Sequence, residues 1–287
     1  MSESPAALLL AHEPWIRIGV FAVVLAAAVA AEALWPRRRR ILPRSRRWPG
    51  NLGIVMVDTI LVRLAFPVAA VGVALLAERH GFGLLNLLPL PGWLAIVLAV
   101  VALDLAIWAQ HVLFHRVPPL WRLHRMHHAD QDLDATTGVR FHPIEIALSM
   151  AIKLAVVAAL GAPAAAVVIF EVLLNATAIF SHANLRLPAC ADRLLRRVVV
   201  TPDMHRVHHS QHPDETDSNF GFNLPWWDRL FGTYRAQPRD GHAGMAIGLA
   251  TWPDPAEQRL DRMLTQPFRA PPPAPSVVSV AAAKTFH

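Results

Sequence analysis

The chain has 287 residues, of which 54% are hydrophobic, with mean hydropathy +0.35, one cysteine and a formal charge of +6. This apolar content places it in the membrane class rather than among soluble domains. Cys190 alone excludes an internal disulfide and a cysteine-built zinc or iron–sulfur site. The basic balance lies beside apolar runs, which points to membrane topology and not to nucleic acid.

Residues 15–35 form an Ala/Val-rich run closed by Trp15 and Trp35, long enough to cross a bilayer. The segment before it lacks a basic region and carries Glu3 and Glu13, so a retained span is favoured over a cleaved signal peptide. Seven arginines follow, Arg37 to Arg40 and then Arg44, Arg46 and Arg47. By the positive-inside rule they place this loop in the cytoplasm and the N-terminus outside. Residues 52–78 make a second span, in which Asp58 and Arg63 must face protein or each other. A third span over 92–114 returns to the cytoplasmic side. Pro118 and Pro119 break the helix after it. Residues 144–160 and 164–181 read as a tight hairpin turning at Gly161, Ala162 and Pro163, short enough that a full crossing is left open. Lys153 and Glu171 lie at similar distances from that turn and are expected to pair. Residues 183–270 read as a mixed cytoplasmic segment, with Thr201-Pro202 starting a helix and Trp226 and Trp227 at the lipid interface. The tail from APPPAP onward is low-complexity and expected to be disordered. The fold class is therefore all-α: an integral-membrane helical bundle of about four to five spans in the cytoplasmic (inner) membrane.

Histidine spacing carries the chemistry. His111 and His115 are four apart and share a helical face; His124, His127 and His128 sit at i, i+3 and i+4, and the pattern returns as His205, His208 and His209. Eight imidazoles in three ordered groups exceed what core packing asks for. Imidazole is a borderline ligand for zinc, iron, copper and nickel. His182, beside Asn184 at a span end, favours a ligand role, whereas His142, before Pro143, could be a ligand or a helix cap. Asp104 falls on the stripe of Trp108, His111 and His115 and could orient a histidine, and His212 lies just past the last group as a further orienting candidate. Four ligands saturate one tetrahedral zinc, so eight to ten histidines argue for two ions in a cytoplasmic helical cap. H-E-x-x-H is absent, as are the Glu-x-x-His pairs of ferritin-like centres, so an all-nitrogen redox site fits best.

These motifs, with RFHPIE at 140–145, SHAN at 181–184, NFG at 219–221 and WWDRLFGTY at 226–234, resemble the fatty acid hydroxylase / sterol desaturase superfamily over roughly residues 95–235. The resemblance implies a membrane-bound non-haem di-iron oxidoreductase. Such an enzyme hydroxylates or desaturates an unactivated C–H of a fatty acyl, sterol or related lipid with O2. It implies as iron ligands His111, His115, His124, His127, His128, His205, His208 and His209, then His182 and, more weakly, His142. Asn219 matches a recurrent family position. No dinucleotide or haem motif is present, so electrons are expected from a ferredoxin or small cytochrome with its reductase, drawn to the basic face. The chain then divides into an N-terminal extension (1–14), N-terminal spans (15–94), the catalytic domain (95–235) and a C-terminal cytoplasmic segment with its tail (236–287). The alternative reading is a non-enzymatic membrane metal-binding or haem electron-transfer protein.

Overall fold

A computed structural model describes residues 5–272. The tail from residue 273 onward, expected to be disordered, lies outside the described residues. Fourteen α-helices follow in order: α1 (Pro5–Ala11), α2 (Glu13–Leu34), α3 (Arg44–Ala65), α4 (Ala70–His80), α5 (Gly92–Arg116), α6 (Pro118–His128), α7 (Pro143–Leu160), α8 (Ala164–His182), α9 (Ala189–Leu195), α10 (Pro202–His208), α11 (Pro213–Thr216), α12 (Trp226–Leu230), α13 (Gly241–Gly244) and α14 (Leu260–Thr265). Among the described residues there is no strand, only two isolated bridges. Five helical stretches are long and apolar enough to cross a membrane: α2, Arg44–Leu87, α5, α7 and α8. Their outer faces keep large apolar side chains exposed, with Leu64 at 78%, Trp15 at 75% and Val23 at 68%. Water would not tolerate so continuous a patch, whereas lipid would.

Packing follows small residues. α4, α5, α7 and α8 meet through Ala70, Ala74, Ala99, Val157, Ala164 and Ala166, around Leu103 and Phe170. Small side chains let helix backbones approach closely where lipid offers no hydrophobic drive. The hairpin turns where the sequence indicates: Gly161 ends α7 at φ 60, a left-handed cap, and Pro163 precedes α8. The second expected span differs. It starts at Arg44 and is interrupted between Ala65 and Ala70, because Pro67 offers no N–H and pushes Phe66 out of helical geometry.

α2 and α8 end, and α3 and α7 begin, at the end of the bundle that holds the histidines. There the arginine loop is not a solvated run. Arg47 is fully buried, with Nε and Nη2 each donating to Asp130 at 2.7 Å, Nη1 to Asp134 Oδ2 at 2.6 Å and Nη2 also to the Asp132 carbonyl. Arg37 pairs with Asp203 at 3.0 Å, and Arg44 with the fully buried Glu32 of α2 at 2.7 Å. Glu32 Oε1 also accepts the backbone N–H groups of Ala135 and Asn184. These carboxylates clamp the segment after α6 and the end of α8 to the membrane helices.

The described part of the C-terminal segment, residues 236–272, folds back onto this end. Met263 of α14 packs on Ile54 and Met126, and Gln258 joins Arg140 to the Ala129 carbonyl.

Candidate metal centre

Nine buried histidines converge, and they divide into two adjoining groups. One comprises His111 and His115 from α5, His124 and His128 from α6, and His208 from α10. The other comprises His127 from α6, His182 from the end of α8, and His205 and His209 from α10 and the residue after it. Within each group the candidate ligand atoms all lie within 4.8 Å of one another. The i, i+4 pair of each H-x-x-H-H motif serves one group and its third histidine the other. His124 and His128 join the first group and His127 the second; His205 and His209 join the second and His208 the first. The two groups share a wall, with His128 stacked on His209 at a 4.6 Å centroid distance and His205 on His208 at 5.0 Å.

The outer ring nitrogens are held by the protein. Nδ1 of His111 contacts the Phe220 carbonyl at 2.7 Å, His127 that of Arg140 at 2.9 Å, His182 that of Ala178 at 2.7 Å and His208 that of Ser218 at 2.7 Å. His124 Nδ1 meets Glu145 Oε1 at 2.6 Å, and His115 Nδ1 meets Asp217 Oδ1 at 3.2 Å. A carbonyl or carboxylate can only accept, so each Nδ1 carries the proton and each Nε2 presents a bare lone pair. These Nε2 atoms then face one another: His111 to His124 at 3.1 Å and His127 to His182 at 3.2 Å. With no proton between them such contacts are repulsive, unless a cation lies in the space they enclose. His205 Nε2 also approaches His182 Nε2 at 3.0 Å, and the buried Nε2 atoms of His115, His128, His208 and His209 have no partner. The donor set therefore fits metal ions, with carbonyls and carboxylates fixing the tautomers. Burial holds His127, His128, His205 and His209 well below the ordinary histidine value and His208 at about 3, so these imidazoles are neutral near pH 7.

Local structure explains the placement. Pro118 begins α6, where its missing N–H costs nothing. Thr201 caps α10 by accepting the Met204 N–H and donating to Asp192. Gly138 lies against the α8 backbone; a Cβ there would sit 2.4 Å from the Ala178 carbonyl oxygen. That close approach sets Arg140, whose carbonyl holds His127, beside α8.

Several expected roles change. His142 is no member of either group: its Nδ1 accepts the Ile144 N–H and caps α7, and its Nε2 meets the Leu264 carbonyl. Of its two possible uses, the cap is the one taken. Asp104 touches no histidine; it accepts from Trp227 Nε1 at 2.8 Å and the Leu224 N–H. Trp227 thus braces the start of α12 against α5. Asn184 binds the backbone of Arg38 through both side-chain atoms, and His212 pairs with Asp240 on the surface. Asn219 does position the site, indirectly: it sits at φ 51 and ties Met204 of α10 to Arg235, which aligns the Ser218 and Phe220 carbonyls under His208 and His111.

Three groups acquire roles that spacing did not indicate. Glu145 orients His124 and Asp217 orients His115. Asp228 accepts the Phe220 and Gly221 N–H groups and Trp108 Nε1, fixing the turn that holds His111. The expected Lys153–Glu171 pair forms, and Arg17 of α2 joins it at 2.7 Å. Asp58 and Arg63 do not pair with each other.

A cavity of about 740 Å³ opens beside the centre. His111, His124 and Glu145 lie at one end, and Arg17, Lys153 and Glu171 at the other. Between them the walls come from α2, α3, α5, α7 and α8, with Phe114, Phe141 and Phe222 near the histidines. From Glu171 to His182 the α8 axis rises about 16 Å at 1.5 Å per residue.

Comparison with known proteins places the chain beside lipid-oxidising enzymes. Residues 96–233 match the family model for fatty acid hydroxylase. Over 241 residues the chain is 28% identical to an ornithine lipid hydroxylase of Rhizobium tropici, covering 79% of this chain and 70% of that protein. It is 30% identical over 140 residues to an alkylglycerol monooxygenase of Xenopus tropicalis and 24% identical over 144 residues to the human one, each match covering 48% of this chain and 30% of the relative. No solved structure matches.

Proposed function

We propose, from the premise that this chain is a member of the fatty acid hydroxylase family, that it is a membrane-bound lipid hydroxylase working with two iron ions, O2 and an external electron donor. One observation carries the reading: two adjoining groups of histidines, with bare Nε2 atoms converging, lie beside an apolar-walled cavity among lipid-facing helices, onto which the first group opens through His111 and His124. Iron held there would supply the activation of O2 and the oxidation of an unactivated C–H bond. The balance is that of a monooxygenase. One oxygen atom enters the C–H bond and the other leaves as water, with two electrons from the donor and two protons from solvent.

The chain contributes position and exclusion. Nine imidazoles would hold the cations, and carbonyls and carboxylates keep six of the rings aimed. The aromatic side chains beside His111 and His124 exclude water from the reacting carbon. Cavity shape then decides which carbon lies over the histidines. The arginine distribution supports a cytoplasmic centre with the N-terminus outside. Many of those arginines are engaged internally, so attraction of an acidic electron carrier has less charge to draw on than the sequence implies. Neighbouring imidazole centroids 4.3 to 5.4 Å apart leave no gap for a macrocycle, which disfavours a haem role.

The test is metal content, optical spectrum and product analysis of protein in lipid nanodiscs. About two irons per chain without a Soret band, and one ¹⁸O per product from ¹⁸O2 with a reductase system and lipid extract, are expected. A haem spectrum, or no iron uptake under anaerobic reconstitution, overturns the reading.

A further inference from the structure

The cavity wall is polar in a one-sided way. Asp58, in the middle of α3, is 8% exposed and lines the cavity. Neither of its carboxylate oxygens has a hydrogen bond or ion pair among the described residues, and Oδ1 is fully buried. Gln110 and Glu145 line the same space, each with a buried oxygen that has no partner: Oε1 of Gln110 and Oε2 of Glu145. Most side-chain donors on this wall are already engaged. Arg17 is held by Glu13 and Glu171, and Lys153 by Glu171. Asn175 donates to the Glu171 carbonyl, Thr59 to that of Val55 and Gln110 Nε2 to Ser149. Arg63 is exposed and forms no pair with Asp58. The wall thus offers buried free acceptors, while Arg63, the cation among its lining residues that has no ion pair, is exposed.

An unpaired carboxylate inside a span is costly and marks a site whose partner comes from elsewhere. We propose that Asp58 anchors the amine end of a lipid substrate: a primary ammonium seats on Asp58, assisted by Gln110, while the alkyl part fills the apolar remainder of the cavity. This rests on reading the centre as a lipid hydroxylase and specifies the substrate class. Position adds a consequence. Asp58 and Glu145, which holds His124, line the same cavity, and α3 packs against α7 there. An ammonium on Asp58 therefore brings the carbons next to the nitrogen to the histidines, and oxidation falls near the polar end of the lipid rather than at the chain terminus.

Binding of dodecylammonium, dodecanol and dodecanoate to metal-free protein in phosphatidylcholine nanodiscs, followed by thermal shift, tests this without turnover. Wild type should prefer the ammonium over the carboxylate, and Asp58→Asn should weaken ammonium binding roughly 10- to 100-fold while leaving dodecanol unchanged. Equal binding of ammonium and carboxylate by wild type overturns the proposal, and that comparison stands even if the variant fails to fold. So does an Asp58→Asn variant that keeps its ammonium preference but loses turnover equally on amine-bearing and amine-free lipids, since that signature belongs to proton delivery. Failure to take up iron would leave the binding result standing, so loss of the hydroxylase reading and loss of the amine subsite are read separately.

Discussion

Glu145→Gln is the most informative single change at the centre. Glu145 is 4% exposed, and its Oε1 accepts the His124 Nδ1 proton at 2.6 Å, a short charge-assisted contact in a buried setting. Asp217 does the same for His115, but at 3.2 Å and with a side chain 43% exposed. Solvent screens that second contact heavily, so the two carboxylates should differ in weight. Loss of such an outer partner typically lowers metal affinity 10- to 100-fold, about 1.4–2.7 kcal/mol. Glu145→Gln should lie within that range and Asp217→Asn below it. Because His124 belongs to only one of the two groups, the loss should fall on one ion. Chelator titration of iron-loaded protein, read as iron per chain, would resolve the step: the Gln variant should release one ion early and keep the other. Simultaneous loss of both ions, or a larger effect from Asp217→Asn, would refute the division into two groups or the ranking by burial.

Three further outcomes follow from the same geometry. His208→Ala and His127→Ala, which remove one ligand from each group, should each abolish turnover while the chain still inserts into the membrane; full activity in either would end the metal-centre reading. Arg47→Met leaves Asp130 and Asp134 buried without their cation, a loss of about 3–5 kcal/mol, so the melting temperature should drop sharply, whereas the part-exposed Arg37→Met should lower it far less. In metal-free protein His127, His128, His205, His208 and His209 are neutral and held below an unfolded value of about 6.5, so the unfolded state takes up protons first as pH falls. Stability should be full above about pH 6.5 and decline below it, toward the value near 3 of His208; a melting temperature flat from pH 7.5 to 5 would contradict this.

The helical bundle and the grouping of the histidines were legible because both rest on local periodicity. Apolar runs of bilayer length mark the spans, and His spacing at three and four marks the ligands. The allocation of ligands was not legible. The three histidines of H-x-x-H-H lie close enough on a helix to be read as one face, yet the centre sends His124 and His128 to one group and His127 to the other. Only the arrival of α10 and the end of α8 from far along the chain decides that. The settings of Asp104, Asn184 and His142 have the same origin. Each sits at the right sequence distance from a histidine, but a closer partner satisfies it: Trp227, the Arg38 backbone and the start of α7. Glu145 has the opposite history. Its position in the first turn of α7 gives a sufficient local reason for an acid, which hid its contact with His124.

The arginine loop shows how one signal can serve two purposes. Its charge density is what a cytoplasmic flank needs, yet Arg47 is among the most buried side chains, and the acids that hold it, Asp130 and Asp134, follow directly on the H-x-x-H-H of α6. Burial would penalise the charge of Asp130, but Arg47 and Arg140 overcome it and hold its carboxyl below the usual range, so the clamp stays ionised. Arg140 also supplies the carbonyl that holds His127. The ions of this clamp are therefore continuous with the ligand set: α3 is tied through Arg47 and Asp130 to the segment that orients the second histidine group. α3 also carries Asp58, about four turns beyond Arg44 toward the middle of the bundle. One helix thus fixes the distance between the ligand scaffold at its start and the free carboxylate in the cavity. A variant that loosens the clamp without unfolding the chain, such as Arg47→Lys, should blur the position of oxidation on a lipid before it lowers iron content, because Lys keeps the charge but loses the forked contact to Asp130. Product regiochemistry at unchanged iron stoichiometry measures this; loss of iron at unchanged regiochemistry would show that the clamp serves the ligands alone.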